Sequence, residues 1–153
     1  MTAILARTAL AAVALTATLS AQASPAPRIN KDRTLVALRG YDVVAYFTDA
    51  KPVAGRAEFE HRWQGARWRF DTAEHRDLFA AAPEKYAPQY GGFCAWAVSR
   101  NYTAPIDPKA WTIVNGRLYL NYSLDVQDTW SQDRTGNIAK ADANWPALSH
   151  TTK

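Results

Sequence analysis

The chain of 153 residues carries one cysteine and one methionine. A single cysteine excludes an intramolecular disulfide framework, a CxxC motif and any zinc site built from several cysteines of one chain. The sequence also lacks a block of like charge. Its 18 Lys and Arg and 14 Asp and Glu are interspersed, so the net charge of +4 leaves no footprint for nucleic acid. No G-x-S-x-G, P-loop or dinucleotide fingerprint is present, and no two histidines stand four apart. These absences argue against an ordinary hydrolase, kinase, dehydrogenase or zincin. What is there is 48% apolar and 21% charged, the composition of one globular domain.

Residues 1–23 read as a secretory signal peptide. Arg7 supplies the basic n-region, Leu10–Leu19 the short apolar h-region, and Ala21-Gln22-Ala23 the small-x-small cleavage site. The apolar run is shorter than the roughly 20 residues a transmembrane helix needs. The sequence therefore predicts a periplasmic or secreted protein with a mature start at Ser24 and no transmembrane segment. Residues 24–33 read as an extended leader, 34–148 as the domain and 149–153 as a polar tail holding His150. All 18 aromatics lie between Tyr41 and Trp145, which concentrates the large core side chains in the mature domain. In an oxidising compartment cysteines usually pair, so a lone Cys94 must be buried and inert, metal-bound, reactive, or paired with another chain.

Along the domain, Leu35–Leu38 suits a short strand, and Gly40 and Asp42 a turn leading into a short helix. Ala57–Phe70 suits a hairpin around Gln64-Gly65, with Phe59, His61 and Trp63 on one strand face. Asp71-Thr-Ala-Glu74 resembles a capping box, with Asp71 as cap and Glu74 reaching back. It opens a helix with His75, Leu78 and Phe79 on one side, ended by Pro83. Trp111–Tyr122 is the clearest hairpin, turning at Asn115-Gly116. One or two helices follow, carrying Leu124, Trp130, Ile138 and Trp145. Two hairpins alternating with short helices predict a single compact α+β domain.

Several of these segments resemble the YHS domain family in its longer exported form. The matching residues are Gly40-Tyr41-Asp42, Val44-Ala45-Tyr46-Phe47 and Gly65-Ala66-x-Trp68-x-Phe70. They continue with Lys85-Tyr86-Ala87-Pro88-Gln89-Tyr90-Gly91-Gly92-x-Cys94-Ala95, then Asp107-Pro108-x-Ala110-Trp111, Leu118-Tyr119-Leu120-Asn121-Tyr122 and Ala141-Asp142-Ala143-Asn144-Trp145-Pro146. The resemblance implies metal handling, because shorter YHS domains accompany copper-transporting ATPases and are thought to bind metal through cysteines. Some longer relatives look as if they carry selenocysteine at the position of Cys94.

Cys94 is thus the leading candidate, as a soft ligand for copper or zinc or as a redox nucleophile. If a helix opens after Gly92, its dipole is expected to favour the thiolate. His75 and His61 are the candidate companion ligands. Asp42, Tyr46, Tyr90, Gly91 and Gly92 are expected to frame the site, the two glycines giving backbone room beside Cys94. Asp42 and Asp107 also suit turns and caps. A site with one thiolate would draw on a metal donor or acceptor protein, or on a homodimer. The readings that follow are a small exported metal-handling protein, a thiol redox protein, and a non-catalytic ligand- or partner-binding module.

Overall fold

The structure, a computed structural model, describes residues 28–151. The signal peptide, the cleavage before Ser24 and the first part of the leader lie outside the described residues. The architecture is α+β, with two separate two-stranded antiparallel sheets among short helices. The described part of the leader packs against the domain: Ile29 is buried in the core and the Asn30 N–H donates to the Gly91 carbonyl at 2.8 Å. The Leu35–Leu38 segment does not form a continuous strand. Val36 and Ala37 make isolated bridges, and Leu38–Gly40 turns as a 3-10 helix. Positive φ at Leu35, Leu38 and Arg39 breaks the extended path that β propensity favours.

After helix α1 (Ala45–Thr48) the chain enters the first hairpin, β1 (Arg56–Trp63) and β2 (Ala66–Phe70). Gln64 and Gly65 both take positive φ, the geometry of a tight hairpin turn. On β2 the residues Ala66, Trp68 and Phe70 point inward and Arg67 and Arg69 outward, a clean period of two. Helix α2 (Ala73–Ala81) lays Phe79 onto that face, with ring centroids 5.0 Å from Trp68 and 5.2 Å from Phe70. Its cap is Thr72 rather than Asp71: Thr72 Oγ1 accepts the His75 N–H, and Asp71 is held instead through its own N–H by Asp42. A short helix α3 (Pro83–Tyr86) begins at the proline, whose missing N–H costs nothing in a first turn.

The second half starts with α4 (Ala95–Ser99), whose N-cap position is Cys94. Strands β3 (Asp107–Val114) and β4 (Arg117–Asn121) pair through the Asn115-Gly116 turn, again with positive φ at both positions. Leu118 to Asn121 are all buried, because β4 is covered on both faces. Helices α5 (Leu124–Ser131) and α6 (Arg134–Leu148) close the domain, capped by Ser123 and Asp133. Their stripe buries Trp130 and half-buries Ile138 and Trp145, whereas Leu124 is exposed.

Candidate functional site

The candidate residues do not gather in one place; two buried polar clusters, around Asp42 and around Cys94, hold some of them. The first cluster centres on Asp42, which is completely buried. Its Oδ1 accepts the N–H groups of Val44 (2.9 Å) and Ala45 (3.2 Å), and its Oδ2 accepts the Asp71 N–H (2.9 Å) and Nδ1–H of His75 (2.7 Å). His75 Nε2 then stands 3.2 Å from Thr48 Oγ1 and 3.9 Å from Asp49 Oδ1. Four donors on one buried carboxylate satisfy it fully and pin the start of α1 to the start of α2. His75 lies on the Leu78–Phe79 side of its helix, but its partners are polar rather than apolar.

His61 is elsewhere. It sits half-buried on β1, opposite Trp68 in register, with its ring 6.0 Å from that of Phe79. Tyr46 is buried and donates its hydroxyl to the Pro108 carbonyl at 2.9 Å, and burial raises its pKa far above the usual tyrosine value. Tyr90 donates to Asp142 Oδ1 at 2.8 Å; burial first, and that bond second, push its pKa strongly up. Asp107 opens β3 opposite Asn121, and its side chain accepts the Lys109 N–H at 2.9 Å.

Gly91 makes room for the leader and Gly92 for Leu38, rather than for a ligand beside Cys94. A Cβ on Gly91 would lie 1.9 Å from the Arg28 carbonyl oxygen, and one on Gly92 would lie 2.1 Å from Leu38 Cδ2. Both have positive φ, so the pair is required by close approach and by backbone geometry together. The Asn30 side chain adds a bond to the Gly92 carbonyl at 2.9 Å.

Cys94 is 1% exposed and packs in the main core. A helix does open directly after it, as expected, but the thiol is not activated. Burial raises its pKa, and the backbone N–H groups of Ala97, Tyr122 and Trp96 near the sulfur offset only part of that cost. A five-residue helix adds little dipole, whereas desolvation penalises the whole thiolate charge. The sulfur faces Asn121, whose Oδ1 lies 3.7 Å from Sγ and accepts the Trp96 N–H at 3.1 Å. Asn121 is itself completely buried, yet its Nδ2 has no partner. Among the described residues only Trp130 Nε1 shares that condition.

Above the thiol is a pocket of about 330 Å³, bordered by Cys94, Trp96, Tyr102, Tyr122 and Val126. Tyr102 and Tyr122 are half or more exposed, which is unusual for tyrosines in so aromatic a domain. Arg100 stacks over Trp96 at 3.9 Å from the ring centroid. The arrangement can hold a small apolar or aromatic molecule against a neutral thiol.

No family model, curated protein or solved structure matches the chain. Its residues must therefore speak for themselves. Cys94, His75 and His61 have separate partners: Asn121 for the thiol, Asp42 for His75 and Phe79 for His61. Among the described residues, no group of three or more His, Cys, Asp or Glu side chains is arranged to hold a metal ion. No described helix is long and apolar enough to cross a membrane. Asn121 and Tyr102 were not legible from the sequence as neighbours of Cys94. The available signal was a polar residue ending a run of buried β4 positions, Leu118-Tyr119-Leu120-Asn121.

Proposed function

We propose that the protein is an exported, non-catalytic ligand-binding module whose ligand enters the Cys94 pocket and rests on a neutral thiol. Export rests on the signal-like residues 1–23, and membership of the YHS family on the motifs already quoted. The single observation that carries the binding reading is the pocket itself. A volume of about 330 Å³ falls in the range of small-molecule sites, and it is rimmed by exposed Tyr102 and Tyr122 over a floor containing Cys94. Its walls are aromatic and aliphatic, with the Cys94 thiol and the two tyrosine hydroxyls as polar features, so the ligand is a compact apolar or aromatic molecule.

A thiol redox reading is favoured by one further observation. Three backbone N–H groups near the sulfur would stabilise the thiolate that attacks an oxidant, against the burial that disfavours it. Copper or zinc handling rests on the family resemblance; Cys94 would then need ligands from a second copy or from a metal-exchange partner.

The readings separate in one experiment. An environment-sensitive apolar dye such as anilinonaphthalene sulfonate is titrated into the folded protein, before and after blocking Cys94 with a small thiosulfonate. Binding that is lost on blocking, and weakened by Tyr122→Ala, supports the ligand site. Dye binding indifferent to both changes sinks it. Rapid peroxide oxidation of the thiol would favour the redox reading instead, and stabilisation by Cu(I) or Zn(II) that Cys94→Ser removes would favour metal handling.

A further inference from the structure

A second, larger groove lies between the leader, the first hairpin turn and α6. Its volume is about 420 Å³, within the range of small-molecule sites. Two tryptophans distant in sequence border it: Trp63 at the end of β1 and Trp145 on α6. Each is half-buried by packing against its own neighbours, Trp63 on Trp68 and Phe79, Trp145 on Tyr90 and Phe93. Between them stand Gln64, Glu84, Arg117 and Asp142. None of these three charged groups makes an ion pair among the described residues. Asp142 is engaged through one oxygen only, by the Tyr90 hydroxyl.

The groove carries both signs, one guanidinium and two carboxylates, so it offers strong donors and acceptors side by side. A neutral molecule with alternating donors and acceptors can use both kinds at once. It can give hydrogen bonds to the carboxylates, take them from the guanidinium, and do both with a carboxamide. The indoles add apolar surface that suits the C–H face of a ring. A pyranose combines these features: flat apolar C–H faces and a rim of hydroxyls that each donate and accept. We infer that this groove binds a neutral saccharide, with Trp63 and Trp145 as platforms and Glu84, Arg117 and Asp142 reading the hydroxyls. The site is separate from the Cys94 pocket, with which it shares no bordering residue.

The test titrates the full chain with neutral tetrasaccharides (cellotetraose, maltotetraose, xylotetraose, chitotetraose) and follows tryptophan fluorescence. Tetragalacturonate and tetraglucosamine serve as anionic and cationic controls. At least one neutral sugar is expected to saturate with a Kd of about 1 mM or tighter, with the charged controls at least about tenfold weaker. Arg117→Ala and Asp142→Asn alter exposed side chains and leave the packing intact, so they test the groove without unfolding it. Each is expected to weaken binding by about fivefold or more, whereas Cys94→Ser leaves it unchanged. Trp145→Phe, which keeps an aromatic against Tyr90, is expected to weaken binding and reduce the fluorescence response. The inference is overturned if no neutral sugar saturates by about 20 mM, if a charged control binds as well, or if both surface variants bind like the parent. Because Cys94→Ser and thiol blocking act only on the other pocket, failure here and failure of the proposed apolar-ligand site are read separately.

Discussion

Asp42 and Asn121 are both completely buried polar side chains, and they have opposite hydrogen-bond ledgers. Asp42 receives four donors and leaves nothing unmet. Asn121 accepts through its oxygen, which faces the thiol, and leaves Nδ2 unpartnered. A fully satisfied buried carboxylate is an anchor: it ties α1, the Asp71 turn and α2 into one corner. A half-satisfied buried amide is an unmet cost, and native proteins keep such costs mainly where a ligand, an ion or chemistry later meets them. The contrast explains why the Asp42–His75 pair, which looks more like a catalytic dyad, is read as structural, whereas the pocket at Cys94, next to the half-satisfied Asn121, carries the proposed site.

The largest effect expected from breaking this contrast is at Asp42. Asp42→Ala leaves three backbone N–H groups and the His75 ring without their acceptor, and should cost about 3–5 kcal/mol in urea unfolding. A loss under about 1 kcal/mol would show that water replaces the carboxylate and that the corner is not an anchor. His75→Ala should cost less, about 1–3 kcal/mol, because the carboxylate keeps its three backbone donors.

Asn121→Ala strips the Trp96 N–H of its acceptor but also removes the orphan Nδ2. The two changes oppose each other, so the loss should be about 1–2 kcal/mol, clearly below that of Asp42→Ala. Equal losses at the two positions would remove the basis of the comparison.

Smaller still is the effect of pH through Cys94. Burial holds the folded thiol pKa above its ordinary value of 9.0, so the folded state keeps this proton more tightly than the unfolded chain does. That contribution is fully present below the unfolded pKa and is lost as pH rises toward the folded pKa. Stability of the parent should therefore fall above pH 9, and Cys94→Ala should flatten that fall. Iodoacetamide should alkylate folded Cys94 at least about tenfold more slowly than a free thiol at pH 8. Tyr122→Ala, by opening the rim, should narrow that gap. Fast alkylation of the folded parent would mean that the sulfur is far more accessible than a 1% exposure allows.

The legibility of these features differed for physical reasons. Both hairpins could be read because strand alternation and turn chemistry are local. Trp68 and Phe70 alternate with arginines, and Asn115-Gly116 accepts positive φ without cost. The Thr72 cap was misplaced by one residue because Asp71 is the better cap in isolation; in the fold its carboxylate lies 3.6 Å from Arg56 Nε and its N–H goes to Asp42. Gly91 and Gly92 looked like backbone room beside Cys94, and proved to be room for the Arg28–Ile29 backbone and the Leu38 side chain, more than fifty residues earlier in the chain.

The sequence by itself therefore determined the α+β class, the two hairpin turns, the helix stripes and the importance of asking about Cys94. All of these follow from backbone preferences and side-chain periodicity over a few residues. Tertiary structure alone decided that the thiol is buried and proton-retaining, that Asn121 stands beside it with an unmet donor, and that Trp63 and Trp145 border one groove. Burial, hydrogen-bond satisfaction and concavity depend on residues tens of positions apart, and no local pattern encodes which of them will meet.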